Sequence, residues 1–105
     1  MSMSLSSDLQ LLSAVTVTGA GSARPQSPAP VTFQATVTGS GTVSATVAIE
    51  ASNDGDNWIT LGTITLSGTT TATDGFASVA NWSVVRANCT AISGTSAALS
   101  VVMGA

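Results

Sequence analysis

The sequence predicts an all-β chain: a single β-sandwich, jelly-roll-like, of seven to eight short antiparallel strands in one domain spanning residues 1–105. Three observations predict it. Apolar and polar residues alternate at period 2 along most of the chain, the pattern of strands with one buried face. The alternating residues are β-branched or small, while the helix formers Glu, Lys, Gln and Arg are nearly absent. Turn-forming clusters also recur at roughly 8–12-residue spacing, as they do between sandwich strands.

At the start of the chain, Leu9, Leu11, Val15 and Val17 share strand parity and predict a first strand, although Ser7-Asp8 could cap a helical turn. Residues 19–30 hold three prolines and two glycines, which excludes a central strand and predicts a long surface loop or arm. Val31, Phe33, Ala35 and Val37 then alternate with polar neighbours. A turn is expected at Gly39-Ser40-Gly41, followed by a second run through Val43, Ala45, Val47 and Ile49.

Between Trp58 and Leu66 the apolar parity switches, which predicts a bulge at Gly62. The Thr-rich residues 69–73 have strand propensity but little to bury, so they suit an edge or a crossover. Trp82–Thr90 predicts a further strand with Trp82, Val84 and Arg86 facing one way. Ala97, Leu99, Val101 and Met103 predict the last.

Charge restricts the chemistry. Only 7% of residues are charged, against roughly 25% in a typical soluble domain. There is no Lys, His or Tyr; the charged residues are Asp8, Arg24, Glu50, Asp54, Asp56, Asp74 and Arg86. Two arginines cannot supply the several phosphate contacts of a nucleic-acid binder, nor a basic surface for anionic membranes. No run of about 18 apolar residues is present to span a membrane as a helix. Met1–Leu5 lacks the basic and apolar regions of a secretory signal, so direct export is not expected.

Cys89 is the single cysteine and reads as a small buried hydrophobe. Without His or Lys, a Ser, Thr or Cys nucleophile lacks its usual base, so no catalytic residue, no enzymatic activity and no cofactor is predicted. Glu50-Ala-Ser-Asn-Asp-Gly-Asp-Asn-Trp58 is strong turn chemistry, with Trp58 anchoring the next strand. Its oxygen-rich side chains also allow a calcium site on Glu50, Asp54 and Asp56, joined by Asn53 and Asn57, although the EF-hand spacing is absent. Arg86 is expected to pair with a carboxylate within the fold, or else to bind a ligand. Asn81 and Asn88 begin N-x-[ST] sequons, expected by chance in so Ser- and Thr-rich a chain.

A lone sandwich must blunt its edge strands, commonly with Lys, Pro or inward charges. This chain has no Lys and gathers its prolines in one segment, which predicts a permanent partner or a symmetric oligomer. The arm would reach a neighbour through Arg24, Pro25, Gln26, Pro28 and Pro30.

Glu50–Trp58, followed by Trp82-Ser-Val-Val-Arg-Ala-Asn88 and a Gly/Thr/Ser-rich terminal strand, resembles small β-sandwich virion proteins of tailed bacteriophages. The closest in character are the jelly-roll head decoration, or cement, proteins, and the resemblance spans residues 31–105. It implies a protein made in the bacterial host cytoplasm and carried on the outer surface of the virion capsid. There it would bind the major capsid protein as a homo-oligomer, trimer or dimer, and stabilise the shell. Similar patterns occur in discoidin-like sugar-binding sandwiches and in phage tail modules, so the alternative is a tail or fibre carbohydrate-binding module.

Overall fold

The computed structural model describes residues 9–26 and 30–104. They form one antiparallel sheet and no helix. In chain order the strands are β1 (Leu9–Val15), β2 (Gly19–Ala20), β3 (Arg24–Pro25), β4 (Val31–Ser52), β5 (Ile59–Ser78) and β6 (Val84–Gly104). Across the sheet the order is β1-β6-β4-β5, with β2 and β3 also paired to β6.

Where seven to eight short strands are expected, the described residues form six, and β4, β5 and β6 run for 22, 20 and 21 residues. A straight strand of 22 residues would extend about 73 Å. The molecule measures 38 × 38 × 18 Å, so the long strands must bend. The bends lie at one level. In β4 the register shifts between Thr38 and Thr42, and Gly41 takes φ 86°. Thr70 of β5 (φ 65°) and Gly94 and Ser96 of β6 (φ 119° and 57°) mark the same level in the neighbouring strands.

Gly39-Ser40-Gly41 is therefore a bend and not the expected turn. The reason is pairing. β5 lies beside β4 on both sides of it (Thr38 opposite Thr71, Thr42 opposite Thr69), and so does β6 (Thr38 opposite Ala98, Ser44 opposite Ser93). Hydrogen bonding carries each strand through the bend, and pairs of expected short strands merge into single long ones.

The two ends of the sheet come back together. A Cβ on Gly62 would sit 2.8 Å from the Phe76 ring, although 14 residues of the same strand separate them. Phe76 packs in turn on Phe33, with ring centroids 5.4 Å apart. Residues 79–83 join the end of β5, where Ser78 pairs with Val31, to the start of β6, where Val84 pairs with Ser52. The six steps from Ser78 to Val84 reach at most about 22 Å, so the sheet is doubled across its midline.

The doubled sheet encloses the core. Val31, Phe33, Ala35 and Val37, then Val43, Ala45, Val47 and Ile49, and finally Ala97, Leu99, Val101 and Met103 are all buried, as their alternation requires. Ile64, Leu66, Val85, Ala87 and Cys89 complete it.

Three local expectations need correction. In β1 the register shifts between Gln10 and Leu12, so Leu11 and Leu12 are both buried, and Val17 is 70% exposed despite its parity. The bulge expected at Gly62 falls one residue earlier: Ile49 pairs with Gly62 and Glu50 with Thr60, leaving Leu61 extra. The strand predicted from Trp82 begins at Val84. Residues 69–73 do lie in an edge strand, since β5 ends the sheet order. Ser7 and Asp8 lie outside the described residues.

Candidate functional site

One end of the doubled sheet gathers a set of interlinked polar side chains. Its first component is the turn between β4 and β5. Ser52, 1% exposed, donates its hydroxyl to Asp54 Oδ1 at 2.8 Å and accepts from the amides of Asp54 and Gly55. Asp54 Oδ1 also accepts from the amides of Asp56 and Asn57, both at 2.9 Å, and Oδ2 accepts from Asn57 Nδ2 at 2.8 Å. The turn is built around one carboxylate, as its Asx-rich sequence predicts.

These donors, led by the Asn57 amide, hold Asp54 well below the usual carboxylate range. A carboxylate whose pKa is lowered by folding stabilises the fold at every pH above its unfolded value, here 3.8. That contribution is lost only as pH falls from there towards the folded value. A carbon-13 titration is expected to find Asp54 still ionised at about pH 3. A midpoint at 3.8 would show that the turn bonds do not hold in solution.

The second component lies on the outer face of β4 and β6. Glu50 and Arg86 are directly opposite in the register, and Arg86 Nε donates to Glu50 Oε1 at 2.7 Å. Asn88 Nδ2 reaches Glu50 Oε2 at 3.4 Å. The Arg86 guanidinium carbon stands 4.1 Å from the centroid of the half-buried Trp58 ring. Such a stack contributes about 0.5–1 kcal/mol at an open site, and a cross-strand ion pair on a sheet a similar amount. Together they hold Arg86 over the indole. The structural pair expected for Arg86 is thus with Glu50.

The third component is the crossover 79–83. Gln26 donates its amide N–H to the Ser83 carbonyl and its Nε2 to the Ala80 carbonyl, and its Oε1 accepts from the Trp82 amide. The Ser83 amide donates to Asn53 Oδ1, which ties the crossover to the turn. Trp82 is half-buried against the core, and its buried Nε1 has no hydrogen-bond partner among the described residues.

This arrangement redistributes the predicted site residues. Glu50 is engaged by Arg86 and Asn88, and both oxygens of Asp54 are occupied by its own turn. Among the described residues no three His, Cys, Asp or Glu side chains gather, so Glu50, Asp54 and Asp56 are not brought together as a calcium cage. Of the predicted arm, Arg24 and Pro25 are exposed and lie along β6, and Pro30 is exposed at the entry to β4. Gln26 serves the fold internally, and Pro28 lies outside the described residues. The described part of the arm thus lies on its own sheet, because β6 offers an unpaired edge beside it.

Cys89 is 1% exposed, and burial pushes its thiol pKa up. Pairing of β5 through its whole length at one edge of the sheet was not anticipated. The only signal for it was the Thr-rich run at 69–73. Comparisons with protein-family models, with curated proteins and with solved structures find no match to this chain.

Proposed function

We propose that this protein is an adhesive virion component, a capsid decoration or cement protein that binds the major capsid protein on the outer surface of the shell. The observation that carries the reading is shape combined with charge: a slab 18 Å thick and 38 Å in each other direction, with seven charged residues in the whole chain. Broad, neutral, Ser- and Thr-covered faces suit close apposition to another protein over a large area, where each Å² of apolar surface removed from water contributes about 25 cal/mol. Repeated over a shell, a modest contact per copy becomes a large total. On this reading the doubled sheet is a two-layered β-sandwich, the long β4–β5 hairpin folded across its middle in jelly-roll fashion, and the protein acts as a homo-oligomer.

One observation favours a second reading. Trp58 is a half-buried ring with the Arg86 guanidinium over one face, and Arg86 in turn pairs with Glu50. Sugars stack on such rings, which suits a tail or fibre carbohydrate-binding module. Co-sedimentation with empty phage heads, run beside a glycan array, tests both. The decoration reading expects the protein to pellet with heads and to raise their rupture temperature. Protein that stays in the supernatant at saturating concentration, yet binds glycans in a manner lost on Trp58→Ala, overturns it in favour of the second.

A further inference from the structure

We infer that a second copy of this chain pairs with the outer edge of β5, so that residues 59–67 of two copies run antiparallel about a two-fold axis and join the two sheets. This deepens the oligomeric part of the proposed function by naming the surface.

The two edges of the sheet differ. On one side β6 is covered by β1, β2 and β3, which are short and interrupted: β1 has two register shifts and Ala14 at φ 49°, and β3 contains Pro25. That edge is unsuited to further pairing. On the other side β5 ends the sheet order, and among the described residues nothing pairs with its outer edge. It is 20 residues long and contains no Lys, Arg, Glu or Pro; its one charge is Asp74. Its bulge at Leu61 and bend at Thr70 interrupt it, but the run 62–67 between them is regular and presents unpaired N–H and C=O groups with no Lys, Pro or inward charge to keep another strand away.

Charge selects the half that pairs. Asp74 lies in the half of β5 beyond the bend, where self-pairing would bring two carboxylates close. Residues 59–67 carry no charge. Within them Ile64 and Leu66 are buried, while Thr60, Thr63, Thr65 and Ser67 are exposed. A register that keeps Ile64 and Leu66 of both copies on the core face sets exposed Thr and Ser opposite one another, a favourable cross-strand pairing.

Apolar surface supports the same side. Ile59, which opens β5, is 47% exposed, and Val79, just past its end, is 83% exposed. Because Phe76 lies against Gly62, doubling brings these two ends of β5 to the same end of the molecule. The whole side, at most 38 Å long and 18 Å thick, offers no more than about 700 Å², so the pairing must use most of that side to approach the ~800 Å² per partner of a standard stable interface.

The test is the solution mass of the full chain by light scattering, with hydrogen exchange on the same samples. Wild type should have twice the monomer mass, with slow exchange across 59–67 that speeds up on dilution. The double variant Thr63→Lys/Thr65→Lys sets cations opposite cations at exposed positions and should be monomeric with an unchanged circular dichroism spectrum. A wild-type monomer, a trimer, or a dimer whose 59–67 amides exchange equally fast at every concentration overturns the pairing, as does a folded double variant that stays dimeric. If the variant does not fold, the dilution series on wild type decides alone. A monomer that still pellets with phage heads sinks this pairing and spares the capsid reading; a dimer that ignores the heads does the reverse.

Discussion

Phe33→Ala is expected to destabilise the fold by about 3–5 kcal/mol, a large part of the roughly 5–15 kcal/mol available to a domain of this size. Phe33 is 1% exposed near the start of β4 and is one of the largest fully buried side chains. It is also where the two ends of β5 meet the core, since Phe76 packs on it and reaches Gly62 beyond. Truncation therefore removes the ring's own burial and loosens the contact that holds the doubled sheet closed. Urea unfolding should show a lower midpoint with little change in slope. A loss below about 1 kcal/mol would mean that Phe76 swings in to refill the space.

The second large effect is expected at the bend. Gly94→Ala should cost at least about 3 kcal/mol, because a strained backbone angle and a collision act together. At φ 119° an L side chain is disfavoured, and the new Cβ would lie 2.6 Å from the Thr42 carbonyl oxygen and 3.1 Å from Val43 Cα. Both belong to the backbone of β4, which β5 holds in register at Thr42 and Val43, so it is not free to move aside. Gly41→Ala is the matched comparison. Its φ is also positive, at 86°, but nothing lies within 4 Å of the added Cβ, so it should cost only about 1 kcal/mol of strain. Equal losses at the two sites, measured by urea unfolding, would remove the collision from the account.

Alternation alone located the core of β4 and the end of β6, because parity is a local property that any single face-burying strand displays. The bends were not legible for a physical reason. Glycine at positive φ serves a reversal and a bend equally well, and the choice at 39–41 was made by β5 and β6, whose partner residues lie 27 or more positions away. Thr70 and Ser96 carried no sign at all, since neither residue type favours positive φ. At the candidate site, the turn on Asp54 could be read from its Asx and Gly residues. That Arg86 would find a carboxylate was also foreseeable; that it is Glu50 depends on cross-strand register, as does the placement of Trp58 beneath it. Gln26 looked like a surface arm residue because its partners, Ala80, Trp82 and Ser83, are more than 50 positions distant.

Chain order and sheet order oppose each other. β6, the last of the six strands in sequence, is the one that β1, β2, β3 and β4 all pair with. Until it arrives, only the β4–β5 hairpin has its native partner, and Leu11 and Leu12 have no strand beside them to sit against. Closing the sheet then means bringing Leu9 to Met103 and Thr32 to Gly104, loops that enclose most of the chain. Such distant closures make folding slow for a protein this small, and they leave a hairpin without a single Lys or Arg and with two open edges in the interval. The hazard to the chain is therefore kinetic, greatest during synthesis, when the centre of the sheet is still to come.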